Sequence, residues 1–134
     1  MNQGQELPRY RVVVAEDNEL IRELLAQQLE ELGHTVVGKA RNGIEVVDVV
    51  AATRPDVAII DRGLPIQDGL AASRAIAERA PTALVVLSAY MSEIDPEEEA
   101  LAAGAHSFLA KPYLIEELDE TLERAVRRYK RAQP

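Results

Sequence analysis

Five times along the chain a short apolar run hands over to a longer segment whose apolar residues recur every three or four positions. The first run, RVVVAED, leads into NELIRELLAQQLEELG. There Leu20, Ile21, Leu24, Leu25, Leu29 and Leu32 repeat at helical spacing, with Asn18 placed to cap the start and Gly33 to stop the end. HTVVGKA is a shorter and more polar strand, suited to a sheet edge, and NGIEVVDVVAAT is helical up to Pro55. DVAIID and TALVVLSA read as buried strands, and HSFLAKP as a fifth. Helices follow each of them: GLAASRAIAERA with Asp68 as N-cap, PEEEALAA with Asp95 as cap and Pro96 in the first turn, and LIEELDETLERAVRRYKRA. Strict alternation with short links requires parallel strands, and right-handed crossovers then put helices on both faces. The predicted fold is an α/β doubly wound, five-stranded parallel sheet. The 134 residues suffice for one domain, read as 10–131, with an N-terminal extension over 1–9 and a tail over 132–134.

Composition narrows the function classes. There is no Cys, which removes disulfides, thiolate metal sites and a Cys nucleophile. No apolar run is long enough to cross a bilayer, and the start MNQGQELPRY lacks a secretion-signal layout, so a cytoplasmic location without membrane contact is expected. The formal net charge of -8 disfavours direct nucleic-acid binding by this domain, since such binding rests on neutralising phosphates.

In a doubly wound sheet, ligands bind outside the carboxyl ends of the strands, where the winding reverses. Strand one ends at Glu16 and Asp17, strand three at Asp61, strand four at Ser88 and Ala89, and strand five at Lys111 before Pro112. Three carboxylates on one rim repel, so either one is protonated or a cation compensates. An oxygen-only donor set favours a hard ion, and Mg²⁺ fits because it takes few carboxylates and leaves room for phosphate oxygens. Lys111 and the Ser88 hydroxyl would complete a cradle for a phosphoryl group, with the central Asp61 as nucleophile.

VVVAEDN, IIDRGLPIQDG, VVLSAY and SFLAKP, in this order and spacing, resemble the receiver domain of two-component response regulators over roughly residues 10 to 131. The resemblance implies a flavodoxin-like fold of receiver type and a phosphorylation switch. By position, Asp61 matches the phosphoacceptor, charged from the phosphohistidine of a sensor histidine kinase or phosphotransfer protein. Asp17 matches a direct Mg²⁺ ligand, Glu16 one that acts mainly through water, and Gly63 the residue whose backbone carbonyl ligates the metal. Ser88 matches the hydroxyl that moves towards the phosphoryl group, assisted by the Ala89 N–H. Lys111 matches the lysine of the site, ahead of a Pro112 that receivers usually hold in a cis peptide. Phe108 matches the aromatic switch. The implied output surface for a downstream protein partner is the face of the fourth helix, fifth strand and fifth helix. The same resemblance admits a phosphorylation-dependent homodimer.

Some residues depart from the family pattern. Arg62 stands where an apolar residue is usual, Gln67 replaces a common Met, and Ser88 is the less frequent alternative to Thr. The stretch between Ser88 and Lys111 is about one residue longer than is typical, placed in the YMSEID loop. By the same resemblance, Gly63 and Tyr90 match the positions that line the route of the attacking water. Three other functions compete: a Mg²⁺-dependent phosphohydrolase with an aspartyl nucleophile, a pseudo-receiver that only binds, and the receiver half of a longer DNA- or RNA-binding regulator. The first normally carries a second acid two residues after the nucleophile, where this chain has Gly63. Bland readings stand beside the sharp ones. Glu16 and Asp17 also suit a helix start, Asp61 a turn, Ser88 a strand-end hydrogen bond and Phe108 the core. His34 and His106 fall on the opposite rim, where they read as hydrogen-bonded or solvated. The basic RRYKR suits a helix C-terminus and the acidic EIDPEEE a helix N-terminus.

Overall fold

The computed structural model describes residues 9–89 and 95–134. Tyr90, the rest of the loop up to residue 94 and most of the N-terminal extension lie outside the described residues. Strands and helices alternate as β1 (Arg11–Ala15), α1 (Glu19–Glu31), β2 (Thr35–Ala40), α2 (Gly43–Thr53), β3 (Val57–Asp61), α3 (Gly69–Arg79), β4 (Ala83–Ala89), α4 (Pro96–Ala102), β5 (Ser107–Lys111) and α5 (Ile115–Ala132). All pairings are parallel and the strand order is β2-β1-β3-β4-β5. The polar strand β2 is at an edge, as its sequence suggested. Winding reverses at β1, so the crevice between the ends of β1 and β3 is the switch point.

Alternation along each strand divides the core in two. Val12, Val14, Val57 and Ile59 face α1 and α5, meeting Leu25, Leu29, Leu118 and Leu122. Val13, Ala58, Ile60 and Val86 face α2, α3 and α4, meeting Val46, Ile76 and Ala100. All five residues of β3 are buried, as expected for a central strand covered on both faces. Among the described residues, no helix is long and apolar enough to cross a membrane.

Local capping follows the sequence. Asn18, Asp68 and Asp95 accept backbone hydrogen bonds from Ile21, Ala71 and Glu97. Gly33 takes the left-handed conformation, φ +95°, just past the end of α1. One expectation needs correction. Leu20, Ile21 and Leu24 do not face the core: they are 80%, 46% and 54% exposed. The buried stripe of α1 is Arg22, Leu25, Ala26 and Leu29, spaced i, i+3, i+4, i+7. Arg22 displaces the leucines because its guanidinium reaches back to the Glu16 carbonyl oxygen at 3.0 Å. At the other end of the chain, α5 runs to Ala132.

Candidate functional site

The rim above β1, β3 and β5 collects the residues singled out from the sequence. Each reaches it by ending its strand. Glu16 follows β1, Asp61 is the last residue of β3, Ser88 and Ala89 end β4, and Lys111 ends β5. Register does the rest: Asp61 lies opposite Leu87, and Ala89 opposite Lys111, so the four strand ends are level. The first turn of α1 then holds Glu16, whose Oε2 accepts the Asn18 N–H at 2.9 Å while its backbone carbonyl accepts from Arg22.

Lys111 Nζ lies 2.6 Å from Asp61 Oδ1 and 3.9 Å from Glu16 Oε1. Asp61 Oδ2 accepts the Gly63 N–H at 3.2 Å. Glu16, Asp17 and Asp61 each offer a carboxylate oxygen, all within 4.8 Å of one another. Glu16 and Asp61 are buried, at 5% and 7% exposure, and Asp17 is open to solvent. One ammonium therefore serves three carboxylates. The Glu16 carboxyl is raised above its ordinary value. Burial is the main cause. The Asn18 N–H opposes it, the Asp17 side chain and the Asp61 charge add to it, and the Lys111 charge opposes it. An oxygen-only cluster with one exposed member is the donor set of a hard divalent cation.

A cavity of about 300 Å³ beside this cluster is lined by Asp61, Arg62, Gly63, Ser88, Ala89 and Lys111. A Cβ at Gly63 would sit 3.3 Å from Asp61 Oδ2, so glycine leaves that oxygen unobstructed. Glycine at 69 has a different cause. A Cβ there would collide with the Asp61 carbonyl oxygen, because the start of α3 is pressed against the end of β3. The chain between them turns tightly, with Gln67 N–H bonded to the Pro65 carbonyl at 2.7 Å around Ile66, which has φ +70° and is 81% exposed.

Ser88 is at the rim, but its hydroxyl donates to the Ala89 carbonyl at 3.1 Å instead of pointing at Asp61. Phe108 is partly buried against the core on the α2, α3 and α4 side. The Lys111–Pro112 peptide is cis. The histidines lie on the opposite rim, as expected. His34 Nδ1 accepts the Tyr10 N–H at 3.0 Å and its Nε2 is 2.8 Å from Asp119; His106 Nδ1 accepts the Leu84 N–H at 3.1 Å.

The sequence did not reveal three supporting features. Arg22 was legible only as a charge on an apolar stripe. The exposed Ile21 and Leu24 border a cleft of about 430 Å³ whose other walls include Glu16, Lys111, Pro112 and Tyr113. Arg62 Nη1 donates to Glu99 Oε1 of α4 at 2.8 Å, across 37 residues of chain.

Residues 12–123 match the family model of the response regulator receiver domain. The chain belongs to that family. As a receiver domain it is 41% identical over 124 residues to the transcriptional regulatory protein PdtaR of Mycobacterium tuberculosis, covering 92% of this chain and 60% of that protein. It is 42% identical over 103 residues to a protein-glutamate methylesterase/protein-glutamine glutaminase of Hahella chejuensis, covering 75% of this chain and 30% of that one. The chain thus spans about 60% of the first of these relatives and about 30% of the second. Among solved structures, it resembles the response regulator domain of Thermotoga maritima CheB with a TM-score of 0.78 and 28% identity, covering 95% of this chain and 100% of that one. The signal receiver domain of a modulated diguanylate cyclase from Desulfovibrio desulfuricans G20 gives a TM-score of 0.82 at 27% identity, covering 94% of this chain and 100% of that one.

Proposed function

We propose that this receiver takes a phosphoryl group onto the Asp61 carboxylate from the phosphohistidine of a sensor kinase or phosphotransfer protein. An Asp61 oxygen attacks phosphorus, the P–N bond breaks, and the donor imidazole leaves with the electron pair. The observation that carries this reading is Lys111 Nζ at 2.6 Å from Asp61 inside a cluster of three carboxylates that one lysine cannot balance. Lys111 holds Asp61 in place and offers a positive charge to the transferred group. Glu16, Asp17, Asp61 and the Gly63 carbonyl are the groups that would hold Mg²⁺. When bound, the ion supplies charge neutralisation to the carboxylates and to the phosphoryl oxygens.

The exposed Ile21 and Leu24, which line one cleft with Lys111 and Tyr113, suit the apolar surface of the donor protein. Loading replaces the single charge of the Asp61 carboxylate by an acyl phosphate of about two negative charges, a net gain of about one at the rim. Ser88 then gives up its bond to the Ala89 carbonyl for a phosphoryl oxygen, and the Ala89 N–H assists. Phe108 turns inward, and the face of α4, β5 and α5 changes for a downstream protein or a second copy. The domain is a stoichiometric switch that catalyses its own phosphorylation and slow hydrolysis. It works in the cytoplasm. The test is incubation with a small phosphodonor and Mg²⁺. Intact mass rises by one phosphoryl group, and Asp61→Asn removes the gain. A label that persists in that variant overturns the assignment.

A further inference from the structure

Arg62 is the next residue after the proposed phosphoacceptor, and its side chain is not idle. Its backbone N–H donates to the Leu87 carbonyl at 2.8 Å, which extends the β3–β4 ladder one residue past Asp61. From there its guanidinium reaches Glu99 of α4 at 2.8 Å, with the two side chains 31% and 24% exposed. Among the described residues, this is the one ion pair that joins α4 to another element. Arg62 also lines the same cavity as Asp61, Ser88 and Lys111. One cation thus sits between two possible anionic partners, the carboxylate on α4 and whatever occupies the cavity.

We propose that Arg62 is a switched phosphoryl ligand. It holds Glu99 while Asp61 is unloaded and moves to the phosphoryl oxygens when Asp61 is loaded, so the tie between the site and α4 opens. This inference rests on Asp61 being the phosphoacceptor. Charge balance favours the exchange. Lys111 is shared with Asp61 and Glu16, so a dianionic group in the cavity gains from the second side-chain cation on its wall, Arg62. A guanidinium can meet two phosphoryl oxygens at once, whereas a part-exposed pair to one carboxylate is weak. Glu99 is not stranded on release. It lies in the first turn of α4 with Glu97 and Glu98, where the helix dipole favours negative charge. α4 is short, Pro96–Ala102, and its buried residues are only Pro96 and Ala100, with Ala103 at its C-cap. Loss of one tie therefore matters to it.

The experiment is hydrogen exchange of residues 96–102 in the full chain, with and without Mg²⁺ and a small phosphodonor, for the wild type, Arg62→Met, Arg62→Lys and Glu99→Gln. Intact mass and phosphoryl lifetime are read on the same samples. In the wild type, loading speeds exchange in α4 by at least about threefold. In Arg62→Met and Glu99→Gln, α4 already exchanges fast and loading adds nothing, while Arg62→Lys keeps part of the response. The two disruptive variants separate on lifetime: Arg62→Met shortens it, and Glu99→Gln, with Arg62 released, does not. A normal mass gain with α4 exchange that responds to loading equally in wild type and Arg62→Met overturns the latch alone. Equal lifetimes in the two variants also overturn it. An absent mass gain in the wild type overturns the reading of Asp61 and the latch together.

Discussion

The two rims of the sheet carry similar residue types and treat them in opposite ways. On the amino-end rim, polar side chains are closed onto fixed partners. Arg11 donates to the carbonyls of Arg54 and Thr53 at 2.8 and 2.9 Å, and its own N–H is bound by Asp56. His34 is stacked on Tyr10 and bonded on both ring nitrogens, one of them to Asp119 on α5. On the carboxyl-end rim, Glu16, Asp17 and Asp61 crowd around one lysine, and Glu16 is raised above its ordinary value. Satisfied polar groups stabilise a fold; a cluster left in charge imbalance is poised for a ligand. The contrast separates residues that hold the domain together from those the proposed function draws on.

The largest expected effect tests the closed rim. His34→Ala removes a buried imidazole and leaves the part-buried Tyr10 N–H without its acceptor and Asp119 without its partner, and is expected to cost about 2–3 kcal/mol in denaturant unfolding. Phosphoryl uptake per folded molecule should not change; if it falls sharply, the division between the rims is wrong. On the open rim, Asp17→Asn is expected to weaken Mg²⁺ binding by about tenfold or more, about 1.4 kcal/mol, as measured by titration. Without the ion the same variant should unfold no earlier than the wild type, because a repelling charge has been removed. A variant that binds Mg²⁺ normally would remove Asp17 from the ligand set.

A smaller effect concerns the turn that closes the open rim. Ile66 has φ +70°, a conformation that a β-branched side chain adopts at a cost, and its side chain is exposed. Ile66→Asn should stabilise the domain by about 1 kcal/mol, read as a higher unfolding midpoint. The smallest effect returns to the closed rim. Burial lowers the pKa of His106 from its ordinary 6.5, so the folded state binds fewer protons at this site than the unfolded chain. Its contribution is fully present above the ordinary value and declines as pH falls through it. Between about pH 8 and about pH 5.5, His106→Gln should lose less stability than the wild type. Parallel curves would mean that His106 does not titrate differently on folding.

Much of the open rim was legible in the chain. Asp61 and Lys111 were found because each ends an apolar run, and parallel strands bring such ends to one side. Asn18, Asp68 and Asp95 were found because an N-cap is decided by the three residues after it. The leucines of α1 misled for a definable reason. Leu20, Ile21 and Leu24 lie at helical spacing, yet the buried stripe is set by which face meets β1, and there the Arg22 bond to the Glu16 carbonyl outweighs side-chain hydropathy. Ile66 gave no warning, since nothing in PIQDG requires a positive φ. The turn is imposed by the press of Gly69 on Asp61.

By itself, the sequence determined the order and type of the ten elements, the N-caps of α1, α3 and α4, and the four strand ends that carry the acids, the hydroxyl and the lysine. These depend on periodicity and on hydrogen bonds closed within a few residues. Only the tertiary structure decided which face of α1 is left open to solvent, that the Ser88 hydroxyl turns to the Ala89 carbonyl, and that Arg62 ties the site to Glu99. Those outcomes are settled by distances between elements far apart along the chain, where a difference of a few ångströms decides which partner a charge finds.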